Sequence, residues 1–250
     1  MKCIKYILTI AAVMMITSSY GQTRGLTSLE WKYGNTDFLG LYAEGEKGMP
    51  AVVIFHQWMG LSSHERETAL ELNRLGYTVL AADLYGKGNM PSDRAGAAKI
   101  AGSFYQNRGK LRSHAMEAVK AITGKSGIPE GDVYVIGYCF GGTAALELAR
   151  TGAAYAGFVS LHGGLSNPDP DDDAKIRGRV LILHGAEDQA VPMTDVTSLI
   201  ENLRKHRKKF SVHIFSGAVH GFTHRNDPDR YNKRADESSW KIMTDFFKED

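Results

Sequence analysis

The chain has 250 residues, 43% hydrophobic and 23% charged, with a formal net charge of +2. That composition suffices to bury one full core and excludes a disordered or fibrous chain. So slight a charge excludes a surface built to track nucleic-acid phosphates.

Lys2 and Lys5, the apolar stretch 6–16 and the small-x-small triplet Ser19-Tyr20-Gly21 read as a secretory signal over residues 1–21, followed by a single domain over 22–250. The apolar stretch falls short of the roughly 20 residues that cross a bilayer. The protein is therefore expected to be exported, to the periplasm or beyond, with no membrane span. Losing two lysines with the signal leaves the mature chain formally neutral. Cys3 leaves too, so Cys139 becomes the single thiol and no internal disulfide can form. An exported protein with one thiol either buries it or uses it. The sequence carries no repeat and specifies no oligomeric state.

In chain order, residues 29–33 and 38–43 read as a short antiparallel start, and the apolar run Ala51–Phe55 as a fully buried strand. Ser62 and Ser63 offer N-caps to a helix that ends at Gly76, and 77–82 is a second buried strand. A Gly-rich loop over 83–90 leads to helices at 92–105 and 111–122. Then come a strand at 133–136, a helix at 143–150, strands at 158–161, 180–183 and 210–215, and helices at 194–207 and 235–247. Strands alternating with helices at this spacing predict an α/β fold: a mostly parallel sheet with helices on both faces, a three-layer sandwich.

The sharpest motif is Gly137-Tyr138-Cys139-Phe140-Gly141-Gly142, a buried strand running through Gly-x-Cys-x-Gly into a helix. It is the nucleophile-elbow pattern with cysteine in place of serine. The helix start would aim free N–H groups at the side chain and favour a thiolate. In this fold an acid follows the nucleophile at the end of a later strand, and a histidine comes last. Asp188, after the strand ending near His184, and His220, after the last strand, stand in that order. Glu187 competes with Asp188. His184, His213 and His224 compete with His220. His220 and His224 have metal-ligand spacing only on a helix, and Gly221 puts them in a loop, so no metal is expected. The backbone N–H groups of Phe140 and Trp58 are the expected oxyanion donors. His162-Gly163-Gly164 follows the nucleophile and is assigned to the pocket wall.

From about residue 29 onward the chain resembles the dienelactone hydrolase family. The matching pieces are His56-Gln57-Trp58-Met59-Gly60, Asp83-Leu84-Tyr85-Gly86-Lys87-Gly88, the Gly137–Gly142 elbow, His184-Gly185-Ala186-Glu187-Asp188 and His220-Gly221-Phe222. The resemblance implies an α/β-hydrolase fold and cleavage of a small ester or lactone without metal or organic cofactor. Cys139 would attack the carbonyl, His220 would shuttle the proton, and Asp188 would orient His220. Where the family carries a glutamate that helps turn the thiol into a thiolate, this chain has Gln57, which cannot accept that proton. Either His220 activates Cys139 directly or activity is weak. The family's carboxylate-holding arginines fall at Lys87 and His224. Tyr85, His162 and Phe222 complete the expected substrate pocket. Two other readings remain: a ligand-binding protein that kept the scaffold without turnover, suggested by Gln57, and a thiol redox protein, which would need an external resolving thiol.

Overall fold

The computed structural model describes residues 25–249. The signal expected over 1–21 lies outside them. β1 (Thr27–Tyr33) and β2 (Thr36–Ala43) form an antiparallel hairpin whose two-residue turn has Gly34 at φ 58°, the left-handed backbone that such turns need. β2 then pairs antiparallel with β4. From there β3 (Ala51–Phe55), β4 (Thr78–Ala82), β5 (Val133–Tyr138), β6 (Gly157–Leu161), β7 (Arg179–Gly185) and β8 (Phe210–Phe215) are all parallel. The eight-stranded sheet runs β1-β2-β4-β3-β5-β6-β7-β8.

The central strands read as unbroken apolar runs because both of their faces are covered. Alternate residues of β3 serve different layers. Val53 and Phe55 pack with residues of α2 (Arg94–Gln106), α3 (Arg108–Ser126), α4 (Phe140–Ala149) and α5 (Met193–Lys205). Val52 and Ile54 pack with residues of α1 (Ser63–Arg74) and α6 (Lys233–Phe246). The register aligns Phe55 with Gly137, Tyr138 with Leu161, and Leu161 with Leu183. The segments that leave β3, β5, β6 and β7 therefore emerge side by side along one edge of the sheet, where ligands bind in such folds.

Two boundaries differ from the sequence reading in ways that shape this edge. α4 begins at Phe140, three residues before the expected start at 143, so no loop separates Cys139 from the helix. α2 and α3 are separated only by Asn107, whose side chain accepts from the Lys110 N–H and caps α3.

Behind this edge lies a buried ion network. Arg150, at the end of α4, is fully buried. Its Nε donates to Asp173 at 2.8 Å, its Nη1 to Glu147 at 2.9 Å and its Nη2 to the Leu165 carbonyl at 3.2 Å. This ties the excursion between β6 and β7 to α4 and holds Gly164 and Ser166 at the rim of a cavity. Removing one partner of such a network leaves uncompensated buried charge. Arg150→Met is expected to lose about 3–5 kcal/mol of unfolding free energy in urea; a midpoint equal to that of the wild type would contradict this account.

Candidate active site

The elbow after β5 depends on two glycines. A Cβ on Gly137 would meet the Gly141 carbonyl oxygen at 2.0 Å, and one on Gly141 would meet the Phe55 carbonyl oxygen at 2.2 Å. Their absence lets the first turn of α4 rest on the ends of β3 and β5. The reversal leaves Cys139 at φ 52°, ψ −113°, a backbone state that costs a non-glycine residue about 1–3 kcal/mol and persists only where its surroundings enforce it. The Cys139 N–H is held by the Leu161 carbonyl at 3.0 Å and by His162 Nδ1 at 3.2 Å.

Asp188 and His220 meet this cysteine. His220 Nδ1 lies 2.8 Å from Asp188 Oδ2, and His220 Nε2 lies 3.1 Å from Cys139 Sγ. The other Asp188 oxygen accepts from the Ala190 and Val191 N–H groups, both at 2.9 Å. Burial would raise the Asp188 pKa, but the hydrogen bond and charge of His220, with the Val191 N–H, hold it below the ordinary value. Burial would lower the pKa of His220, but its bonds to Asp188 and Cys139, and the charge on both, carry it up to about 10. An imidazolium aimed at sulfur is the partner a thiolate requires. Of the competitors, Glu187 is exposed, His213 lies exposed on β8, and His184 is buried with its pKa lowered, burial being the main cause.

The loop after β3 is fixed peptide by peptide. The Gln57 carbonyl accepts from His56 Nδ1 at 2.6 Å and from the Gly60 N–H at 3.0 Å. His56 Nε2 accepts from the Leu84 N–H at 3.0 Å, which assigns the ring proton to Nδ1. In a trans peptide the N–H points opposite to the C=O, so pinning the Gln57 carbonyl aims the Trp58 N–H the other way. The Trp58 carbonyl is held in turn by the Tyr85 hydroxyl at 2.9 Å. Among the described residues neither the Trp58 nor the Phe140 N–H donates to another backbone group.

Gln57 is buried between Glu65 and His224. Its N–H and its side-chain amide face Glu65 Oε1 at 3.3 and 3.5 Å, and its Oε1 accepts from His224 Nε2. Glu65 is fully buried and closes the capping box of α1, accepting from the Ser62 N–H at 2.9 Å and the Ser62 hydroxyl at 2.6 Å. Burial would raise its pKa, yet His64 and Ser62 lower it, so a carboxylate stands here at neutral pH. Glutamine suits the neighbouring position because its NH₂ can donate to that carboxylate.

Cys139, His220, Gln57, Trp58 and His224 all line a cavity of about 1280 Å³. Several expected pocket residues do not. Lys87 stands outside it: its backbone N–H bonds to Asp37 on the hairpin and its Nζ reaches Glu30 at 2.8 Å. Tyr85 lies beneath the Trp58 loop, touching its carbonyl instead of the cavity. His162 is fully buried under the elbow, bonded through Nε2 to Thr223 at 2.9 Å, and Phe222 packs edge-on against it. Burial and the neighbouring histidines hold the His162 pKa well below the ordinary value, so this ring is a neutral support and not a wall. Sequence reasoning missed Glu65, although Ser62-x-x-Glu65 is a legible capping box. It also missed Tyr105, Arg108 and Thr143 on the cavity wall, for which no local motif exists.

Known proteins share this architecture. The chain is similar to a dienelactone hydrolase-like promiscuous phosphotriesterase from metagenomic libraries, with a TM-score of 0.83 and 31% identity over 89% of this chain and 97% of that one. It is 25% identical over 201 residues to the "Probable 2-oxo-3-(5-oxofuran-2-ylidene)propanoate lactonase" of Bradyrhizobium sp, covering 77% of this chain and 80% of the relative. It is 27% identical over 157 residues to the carboxymethylenebutenolidase homolog of Homo sapiens, covering 62% of each. Residues 38–250 match the profile of the dienelactone hydrolase family; the chain is a hydrolase and belongs to that family.

Proposed function

We propose that the protein hydrolyses a small carboxylic ester or lactone through Cys139, His220 and Asp188. The observation that carries this reading is the unbroken contact from Asp188 through His220 to a cysteine held on a strained elbow. Sγ attacks the carbonyl carbon, and the oxygen takes up negative charge against the Phe140 and Trp58 N–H groups. As the C–O bond breaks, His220 Nε2 gives its proton to the leaving oxygen, which in a lactone stays tethered to the acyl chain. Water then attacks the thioester, giving a proton to His220 and releasing the acid with Sγ restored. Gln57 cannot serve as a base, so thiol activation falls to His220, and Gln57 acts as a support that links His224 to Glu65. Export to the periplasm or beyond is proposed on the sequence of residues 1–21 alone. Among the described residues no helix is long and apolar enough to cross a membrane.

With a short-chain aryl ester, Cys139→Ala is expected to lose turnover by at least about 10³-fold, and wild-type rates in that variant would sink the reading. Gln57→Glu would set a second carboxylate against Glu65. It is expected to be about 1–3 kcal/mol less stable than wild type at pH 7, a deficit that narrows on acidification as the pair takes up a proton; equal stability at pH 7 would argue against an ionised Glu65. The His220 proton gives a third check. Its pKa is raised in the folded protein, so its contribution to stability is complete below about pH 6.5 and is lost as pH climbs towards about 10. The melting-temperature gap between wild type and His220→Gln should shrink across that window, and a gap independent of pH would contradict the pairing.

A further inference from the structure

The cavity wall formed by α2, α3 and α4 carries a charge that the proposed reaction does not use. Arg108 opens α3, where a cation works against the helix dipole, so helix stability does not account for it. Its guanidinium stacks on the Tyr105 ring at 5.0 Å, and its Nε and Nη1 are buried without a hydrogen bond among the described residues. The carboxylates behind it are already taken. Glu147 is shared by Arg112 and Arg150, Asp172 by Arg112 and Lys175, and Asp173 is held by Arg150. Burial pulls the Arg108 pKa below the usual arginine value in spite of the attraction of Glu147.

A second polar group shares this wall. The Thr143 hydroxyl is fully buried, and its polar neighbour among the described residues is the Tyr105 phenol, beyond 3.5 Å but close enough to interact with it, which leaves the hydroxyl bonding capacity for a ligand. The other cations of the cavity are otherwise engaged. Arg225 is paired with Glu71 and Asp236, Arg230 is paired with Asp227, and Arg94 is exposed over the Trp58 ring. The positions at which the family resemblance places substrate-holding arginines do not serve here. Lys87 is outside the cavity, and His224, its pKa lowered mainly by burial, is bonded to Gln57. The cavity's carboxylates, Glu67, Glu187 and Asp227, come from other elements than α2, α3 and α4.

We propose that Arg108 and the Thr143 hydroxyl form an anion subsite for the acyl end of the substrate, and that the preferred substrates are half-esters of short dicarboxylic acids. This rests on the reading of Cys139 as nucleophile. Thr143 follows Cys139 by four residues, roughly 6 Å along the helix axis. An acyl chain with about three methylene groups between its two carboxyl carbons, that of a glutarate, covers that separation.

The test compares p-nitrophenyl hemiglutarate with p-nitrophenyl valerate, which differ in the terminal charge. Wild-type kcat/KM is expected to favour the hemiglutarate by about tenfold or more, the scale of one charge-assisted hydrogen bond. Arg108→Gln should lower that ratio at least about tenfold, Arg108→Lys should restore part of it, and Arg94→Gln should move it little. A wild-type ratio near one, or equal losses in the Arg94 and Arg108 variants, would overturn the subsite. Calorimetric binding of glutarate gives a readout free of turnover. Cys139→Ala protein is expected to bind it at least about tenfold more tightly than Cys139→Ala/Arg108→Gln protein, and equal affinities would again overturn the proposal. A wild type that hydrolyses neither ester yet binds glutarate through Arg108 would refute the hydrolytic reading and leave the subsite standing.

Discussion

Gly137 and Gly141 let the first turn of α4 sit at backbone contact on β3 and β5, and the rest of the site hangs on that approach. It forces Cys139 into left-handed backbone, leaves the Phe140 N–H at the mouth of the helix, and lowers the β3 loop onto the same edge. The strain is held by a neutral His162 beneath and by the Leu161 carbonyl beside it. A loosely packed turn could not keep a cysteine in that conformation. The helices that cover both faces of the unbroken apolar strands therefore fix the geometry of the elbow as well as the stability of the fold.

Two buried carboxylates near the elbow have diverged in role through their partners alone. Asp188 bonds the imidazole that faces sulfur, so its charge acts through His220 towards Cys139. Glu65 bonds a helix cap and the Gln57 amide, so its charge is spent on fixing a loop. The chain thus keeps a carboxylate close to Gln57, as an acceptor for its amide and shielded from the cavity by it.

The layered α/β fold was legible in the sequence because buried parallel strands are short unbroken apolar runs and the helices between them carry their own caps. The meeting of Cys139, Asp188 and His220 was legible because each follows a strand, and the register of a parallel sheet brings strand ends together. What could not be read was the direction taken by a loop after it leaves the sheet. Lys87 follows a strand within a few residues, like Asp188, yet one backbone bond to Asp37 turns it onto the hairpin. His162 and Phe222 sit at strand exits too, but fold inward as support. Arg108 gave no signal at all, because only the packing of α2 and α3 onto α4 makes a helix-opening arginine part of the cavity wall.

The buried Arg150 network also separates two sets of residues around the cavity. Cys139, Asp188, His220 and the Trp58 N–H hang on the exits of β3, β5 and β7 and on the loop after β8, whereas part of the wall comes from α2, α3 and the excursion that Arg150 ties down. The two sets come from different elements, and they meet across α4 and at the Trp58 ring, which Arg94 overlies. Such a scaffold is modular in the engineering sense: the lining can be rewritten while the contact from Asp188 through His220 to Cys139 keeps its alignment.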